Sequence, residues 1–182
     1  MKVYHSTPYM HGDIGGGINE FMQGVPDGAW ACIRDADTMF LTPTQQHLVE
    51  RVTENDPEFD LIGAMTNRIR APWQLHGGTI SDNDRISHHI RIAQDREECY
   101  DTAVIEVPSP VAGFFMLFRK STWARVGGFQ RNTAYFDIEF SRAVLRSGGR
   151  LGAIPGLYLW HTYRLGKPNP TTYTKHLAGA GL

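Results

Sequence analysis

The 182-residue sequence has little cysteine, no long apolar run and no excess of charge of either sign. Its two cysteines are Cys32 and Cys99, and because Cys32 lies in an apolar segment typical of a buried strand, we expect no disulfide. No run approaches the roughly 18 apolar residues of a membrane-spanning helix, and the N-terminus lacks the pattern of a signal peptide. The net charge of −1 gives no basic field that would indicate nucleic acid as a partner. We therefore expect a soluble, cytoplasmic protein.

Short apolar runs alternate with segments of helical periodicity along most of the chain. Strands are predicted at residues 2–5, 30–34, 60–67, 104–107, 113–119 and 157–160. Helices are predicted at residues 18–23, from Thr42 onward, at 86–93, ahead of Gly127, and at 136–144. The glycines at 15–17 are expected to lie in a flexible loop. This alternation predicts one α/β domain with a mainly parallel central sheet flanked by helices.

The most informative stretch covers residues 30–40, where an apolar run ends in two carboxylates, Asp35 and Asp37. The run is typical of a strand buried on both faces, and an open α/β sheet binds its ligands at the carboxyl ends of its strands. Because residues i and i+2 of an extended chain point the same way, the two carboxylates can converge on one hard cation, Mg²⁺ or Mn²⁺, shared with phosphate oxygens. The alternative is a simple turn, in which Asp-x-Asp only ends the strand.

Four stretches, taken in order, resemble the inverting nucleotide-sugar transferases of the GT-A fold, glycosyltransferase family 2. They are Thr7-Pro8-Tyr9, Asp35-Ala36-Asp37, the run 113–120 with its continuation 126–129, and the acidic segment 136–142 with Trp160-His161 after it. The third stretch is the most specific, since it joins a glycine, an apolar strand, a basic residue and Gly-Gly-Phe. Together the four stretches span nearly the whole chain.

This resemblance implies a single, Rossmann-like GT-A domain over residues 1–182. Its nucleotide-binding part would be 1–41, ending in the DxD motif, and its acceptor and catalytic part would be 42–161. Residues 162–182 would form a lid or a tail, in which Arg164 and Lys167 could close over a diphosphate. Only 34 residues precede Asp35, where the family normally has two more strand–helix units, so the nucleotide-binding half is reduced.

The resemblance also implies roles for individual residues. Asp137 would be the catalytic base, with Glu139 as the alternative. Asp37 and His161 would bind Mn²⁺ or Mg²⁺, and Asp35 would bind the metal or the nucleotide sugar. The nucleotide-sugar contacts would come from Thr7, Pro8, Tyr9, Asn19, Arg34, Asp35, Ala36, Asp37, Gly113 and Glu139.

Simpler roles are open for several of these groups. Asp137 could be only a helix N-cap, and His161 could be a half-buried histidine satisfied by a backbone carbonyl. Arg34 could do no more than form a surface ion pair with Asp35. His88 and His89 also attract attention as a pair, but adjacent residues on a helix face different ways, so we expect both to be solvated.

The implied activity is transfer of one sugar from a nucleoside-diphosphate sugar, with a UDP-sugar as the expected donor, to an acceptor hydroxyl with inversion. The acceptor could belong to a glycan, a protein, a small molecule or a modified nucleic acid. The chain lacks the Gln-x-x-Arg-Trp sequence of processive synthases, which favours a single transfer. Two alternatives stay open: a nucleotide-sugar-binding module without activity, and a metal-dependent nucleotidyltransferase or pyrophosphohydrolase, which also places carboxylates at strand ends.

Overall fold

The computed structural model describes residues 2–55 and 57–165, so Lys167 and the end of the expected lid lie outside the described residues. Within these ranges the strands are β1 (Val3–Ser6), β2 (Trp30–Arg34), β3 (Thr38–Met39), β4 (Leu61–Thr66), β5 (Ile105–Glu106), β6 (Phe115–Arg119) and β7 (Leu151–His161). The helices are α1 (Ile14–Gly24), α2 (Pro43–Glu54), α3 (Ile86–Tyr100), α4 (Lys120–Val126) and α5 (Phe136–Arg146). Two short 3₁₀ turns, Pro72–Gln74 and His76–Gly78, precede α3.

The strands form one mixed sheet in the order β1-β2-β6-β4-β7-β3, with β5 on the free side of the first half of β7. The β1–β2 and β4–β7 pairs are parallel, whereas β6 runs antiparallel to both of its neighbours, and β3 and β5 run antiparallel to β7. The α/β prediction is therefore confirmed, whereas the prediction of a mainly parallel sheet holds only in part, because two strand pairs are parallel and four are antiparallel. Regular alternation fails where β5 is followed by β6 with no helix between them, and where α4 and α5 follow one another.

Helices cover both faces of this sheet. Side chains of β2 alternate between the faces, as a strand period of two requires: Ala31 and Ile33 pack with α1 and α5, while Trp30 and Cys32 pack with α2. All four are at most 3% exposed, which confirms that β2 is buried on both faces. The two cysteines are free, Cys32 buried and Cys99 exposed, so no disulfide forms between them.

Helix α1 starts earlier than its sequence predicts. Asp13 caps it by accepting a hydrogen bond from the Gly16 N–H at 2.9 Å, so the glycines at 15–17 lie in its first turns and not in a flexible loop. A Cβ at Gly15 would collide with the carbonyl oxygen of Gln130. The glycine run thus lets the start of α1 approach the loop before α5 closely.

No helix in the described part of the chain is long and apolar enough to cross a membrane. A single strand and helix, β1 and α1, precede β2. The carboxyl ends of β1, β2, β4 and β7 meet along one edge of the sheet, because the β1–β2 and β4–β7 pairs are parallel and β6 lies antiparallel between the two pairs. This edge holds the polar residues considered next.

Candidate metal centre

A tight turn joins β2 to β3 and carries Asp35 and Asp37. The Asp35 carbonyl oxygen accepts hydrogen bonds from the Thr38 N–H at 3.2 Å and from the Thr38 hydroxyl at 2.7 Å. The expected extended geometry over 35–37 is therefore wrong, because the chain reverses at Ala36, which is exposed. The turn still brings both carboxylates together. The two interpretations of Asp-x-Asp, a turn and a metal site, are therefore compatible.

Pairing of β3 with β7 brings the end of the chain's longest strand to this turn. Thr38 lies opposite His161 in the ladder, and the Asp37 carbonyl oxygen accepts hydrogen bonds from the Thr162 N–H at 3.0 Å and the Thr162 hydroxyl at 3.2 Å. His161 Nε2 lies 3.3 Å from Asp37 Oδ1. One ligand atom each of Asp35, Asp37 and His161 lies within 4.8 Å of the other two.

The His161 imidazole is oriented by its surroundings. The ring is 3% exposed and stacks on Phe114 with ring centroids 5.6 Å apart. Its Nδ1 lies 2.7 Å from the Arg68 carbonyl oxygen, and because a carbonyl can only accept, Nδ1 carries a hydrogen. In the neutral ring the lone pair is then on Nε2, on the side of Asp37. His161 thus has the backbone carbonyl partner that the simpler interpretation expects, and its Nε2 is still available to bind a metal.

These three residues could hold a divalent cation. Cis ligands of an octahedral Mg²⁺ or Mn²⁺ at about 2.1 Å lie about 3 Å apart, close to the 3.3 Å between His161 Nε2 and Asp37 Oδ1. Carboxylates suit Mn²⁺ and Mg²⁺, whereas imidazole is a donor for transition metals, so the set as a whole suits Mn²⁺ better than Mg²⁺. The spacing and the donors are compatible with a divalent cation, and the identity of the ion stays a prediction.

Asp137 lies in the first turn of α5 and faces the same region. The N-cap of α5 is Tyr135, so a role of Asp137 as the N-cap is excluded. Its two carboxylate oxygens accept hydrogen bonds from the backbone N–H groups of Gly113 at 2.9 Å and Ile138 at 2.8 Å. Burial nevertheless raises the pKa of Asp137 to about 6.

The two carboxylates of the turn differ in their proton affinity. Burial raises the pKa of Asp35 to about 7; His161 opposes this shift, and repulsion from Asp37 and Asp137 adds to it. Burial would also raise the pKa of Asp37. In the metal-free protein, a His161 ring protonated on both nitrogens outweighs burial through its Nε2–H hydrogen bond and its positive charge, so the pKa of Asp37 then lies below its usual value. The Asp35 N–H donates to the Phe114 carbonyl at 3.1 Å, and Asp137 accepts from the N–H of the preceding residue, Gly113, so Asp137 lies near the candidate metal centre.

The segment predicted to hold the nucleoside follows β1. Parallel pairing sets Ser6 opposite Ile33, so Thr7, Pro8 and Tyr9 leave the sheet beside the end of β2. The Tyr9 side chain is 83% exposed, which leaves its ring available to a ligand. The three residues thus lie on the same edge of the sheet as Asp35.

Other predicted contacts are occupied within the fold. Asn19 accepts hydrogen bonds from Trp123 Nε1 and from the Phe129 N–H, both at 2.9 Å, and donates to the Phe129 carbonyl at 2.8 Å. Glu139 forms an ion pair with Arg142 at 2.8 Å. These contacts give Asn19 and Glu139 structural roles.

Gly113 and Arg34 also have visible local roles. A Cβ at Gly113 would lie 2.7 Å from Phe136 Cζ, so glycine allows the start of β6 to approach α5. Arg34 donates to the Thr38 carbonyl at 3.4 Å and stacks its guanidinium on Phe40 at 4.6 Å. Among the described residues Arg34 forms no ion pair with Asp35, so that expectation is wrong.

Sequence reasoning missed two neighbours of the centre, Asn67 and Arg68, and misjudged His89. Asn67 and Arg68 directly follow the buried strand β4, and polar residues at a strand's carboxyl end were the available signal. His89 was expected to be solvated but is fully buried, with Nδ1 2.7 Å from the Tyr158 hydroxyl and Nε2 2.7 Å from the Asn83 carbonyl oxygen. It belongs to the packing of α3 on β7.

A comparison of the chain with protein-family models found no match, and a comparison with curated proteins found none either. The case for a function is therefore built on the geometry at the end of β2 and β7.

Proposed function

We propose that this chain is a metal-dependent glycosyltransferase of the GT-A type. It would move one sugar from a nucleoside-diphosphate sugar, with a UDP-sugar as the expected donor, to an acceptor hydroxyl with inversion. The observation that carries the proposal is the convergence of Asp35, Asp37 and His161, from segments far apart in the sequence. The half-buried carboxylate of Asp137 binds the Gly113 N–H, next to the Phe114 carbonyl that accepts from the Asp35 N–H.

The donor would bind through the metal centre and the end of β1. Asp37 and His161, with Asp35, would hold Mn²⁺ or Mg²⁺, which when bound neutralises negative charge on the departing diphosphate. The exposed ring of Tyr9 offers an apolar face on which a nucleobase can stack. Both features lie at the carboxyl ends of neighbouring strands, where open α/β sheets bind nucleotides.

The acceptor would be activated by Asp137. A pKa of about 6 leaves this carboxylate ionised at neutral pH, yet basic enough to take a proton from a hydroxyl as it attacks the anomeric carbon. The N–H groups of Gly113 and Ile138 fix its orientation and use one lone pair on each oxygen, which leaves the other free to accept. Such a base typically accelerates the reaction by about 10²–10⁴-fold.

The test is release of nucleoside diphosphate from a panel of nucleotide sugars, with Mn²⁺ and with EDTA. We expect metal-dependent release from one donor, lowered by about 10²–10³-fold in Asp37→Ala, since a main electrostatic stabiliser is removed. Asp27→Ala is the matched control, because Asp27 is an exposed carboxylate in the turn at the opposite end of β2. It should behave as the wild type.

Other outcomes favour other functions. Release of nucleoside monophosphate or pyrophosphate would support the nucleotidyltransferase or pyrophosphohydrolase alternative. Metal-dependent binding of a nucleotide sugar without any release, also with candidate acceptors present, would support a binding module without activity. If the wild type neither binds a nucleotide sugar nor releases a nucleoside diphosphate, the proposal as a whole is contradicted.

A further inference from the structure

The parallel ladder between β4 and β7 is continued beyond β4 by a side chain. Regular pairing ends at Thr66 and Leu159. At the next position, Asn67 Oδ1 accepts a hydrogen bond from the His161 N–H at 2.8 Å, and Asn67 Nδ2 donates to the His161 carbonyl at 3.1 Å. The carboxamide therefore satisfies both main-chain groups of His161, as a neighbouring peptide would.

The carboxamide is itself held in place. Asn67 is 1% exposed, and the Thr66 hydroxyl donates to its Oδ1 at 3.2 Å. With these contacts, Oδ1 accepts two hydrogen bonds, which is its full capacity, so the amide has one well-defined orientation. A side chain fixed in this way determines where the last residue of β7 can lie.

The next residue fixes the imidazole. The Arg68 carbonyl oxygen receives the His161 Nδ1 hydrogen, and Arg68 is only 2% exposed. Its guanidinium donates to the Tyr163 carbonyl at 3.0 Å and forms an ion pair with Asp82. Contacts on both sides therefore keep this peptide carbonyl in place beneath the ring.

We infer that Asn67 is the positioning residue of His161: its carboxamide sets the place of the histidine main chain, and the adjoining Arg68 carbonyl sets which ring nitrogen faces Asp37. The inference about metal affinity rests on the proposed function. The Asn67 side chain hydrogen-bonds to the main chain of His161 and to the Thr66 hydroxyl, so it acts on the proposed metal ligand through the His161 main chain. Partners of this kind tune metal affinity because a ligand must be held close to its ideal position.

The first experiment measures the Kd of Mn²⁺ by electron paramagnetic resonance. For Asn67→Ala we expect a Kd about 10–100-fold higher than that of the wild type, as for other residues that orient a metal ligand. Gln45→Ala is the matched control, because Gln45 is another buried amide that bridges two backbone groups, Leu41 N–H and the Tyr158 carbonyl of the same strand β7. Its Kd should stay close to that of the wild type. Equal Kd values for Asn67→Ala and wild type would overturn the inference, as would equal losses in both variants.

The second experiment needs no metal. Nitrogen NMR of the histidines at pH 8 should find His161 with its hydrogen on Nδ1 in the wild type and a mixture of tautomers in Asn67→Ala. An unchanged tautomer in Asn67→Ala would overturn the inference. If Asn67→Ala does not fold, Thr66→Val serves instead, since it removes the one hydroxyl that orients Asn67 and keeps the side-chain shape; it should show the same changes in weaker form, and wild-type behaviour would count against the inference.

The two proposals can fail separately. Absence of Mn²⁺ binding by the wild type would contradict the proposed metal centre and the metal-affinity part of this inference, while the tautomer would still decide whether Asn67 positions His161. Tight Mn²⁺ binding that Asn67→Ala leaves unchanged, but His161→Ala abolishes, would contradict the role of Asn67 alone.

Discussion

Two aspartates near the end of β2, Asp37 and Asp137, illustrate how local surroundings divide chemical roles between identical side chains. In the metal-free protein, the hydrogen bond and charge of a protonated His161 keep the pKa of Asp37 low against the effect of burial. Burial raises the pKa of Asp137 to about 6, which suits a proton acceptor. Environments that separate the pKa values of neighbouring carboxylates are typical of acid–base sites.

Asp137 gives a prediction about pH. Only its ionised form can accept a proton, so at saturating Mn²⁺ we expect turnover to be nearly constant above about pH 7 and to fall about tenfold per pH unit well below 6. In Asp137→Asn turnover should fall by about 10²–10⁴-fold and lose this dependence, while the Kd of the donor stays close to that of the wild type. Steady-state kinetics and calorimetry measure the two quantities.

Glu139→Gln is the control for this experiment. Glu139 is the rival base and lies two residues after Asp137 in α5, but its carboxylate forms an ion pair with Arg142. We expect Glu139→Gln to keep most of the activity. A large loss in Glu139→Gln together with near-normal turnover in Asp137→Asn would reverse the assignment.

At the scale of elements, the packing of α3 on β7 depends on one buried histidine. Because the Asn83 carbonyl can only accept, His89 Nε2 carries a hydrogen, and Nδ1 accepts from the Tyr158 hydroxyl. Burial lowers the pKa of His89; the Asn83 hydrogen bond opposes this shift, and the charge of His88 adds to it. His76 and Arg96, which also lie near Tyr158, offer no negative charge to a protonated ring.

His89 therefore gives a prediction about stability. Because its pKa is lower in the folded than in the unfolded protein, the unfolded state binds more protons near pH 6, and the free energy of unfolding falls as pH drops below about 6.5. His89→Gln can make the same two hydrogen bonds without titrating. We expect the free energy of unfolding of His89→Gln, measured with urea, to lie furthest below that of the wild type at pH 8. At pH 5.5 the two values should be closer.

The difference in unfolding free energy between wild type and His89→Gln reports on His89 alone, because every other titrating group is present in both proteins. His89→Leu should cost about 1–3 kcal/mol at pH 8, since it leaves the buried Tyr158 hydroxyl without its acceptor. A gap between wild type and His89→Gln that widens toward pH 5.5 would contradict the assigned role of His89.

Elements were more predictable from the sequence than the contacts between them. Periodicity predicts strand β2 and the buried face of α2, and a C-cap glycine, Gly127, predicts the end of α4. The start of α1 could not be predicted in this way. Glycine is needed at residue 15 because the Gln130 carbonyl, far away in the sequence, approaches the helix there. Likewise the sequence signals only that Asn67 follows a buried strand; its hydrogen-bond partner, His161, is defined by the β4–β7 register.

At the scale of the whole molecule, the candidate centre joins two distant parts of the chain. Asp35 and Asp37 follow β2, and His161 ends β7, so more than a hundred residues separate the ligands. The unfolded chain would have to close this loop to bind one cation with all three groups, at a large cost in entropy. A cation bound by the three ligands therefore binds the folded state and not the unfolded one.

Mn²⁺ should for this reason raise the melting temperature of the whole domain. At a free concentration of 100 times its Kd, a ligand of the folded state adds about 2.7 kcal/mol, which corresponds to about 5–10 °C for a chain of this size. We expect this shift in differential scanning calorimetry for the wild type and for Asp27→Ala, and its reversal by EDTA. Asp37→Ala and His161→Ala should each lose most of the shift, because each breaks one end of the link between β2 and β7. A full shift in both of these variants would mean that Mn²⁺ binds elsewhere, and the centre at Asp35, Asp37 and His161 would then have to be abandoned.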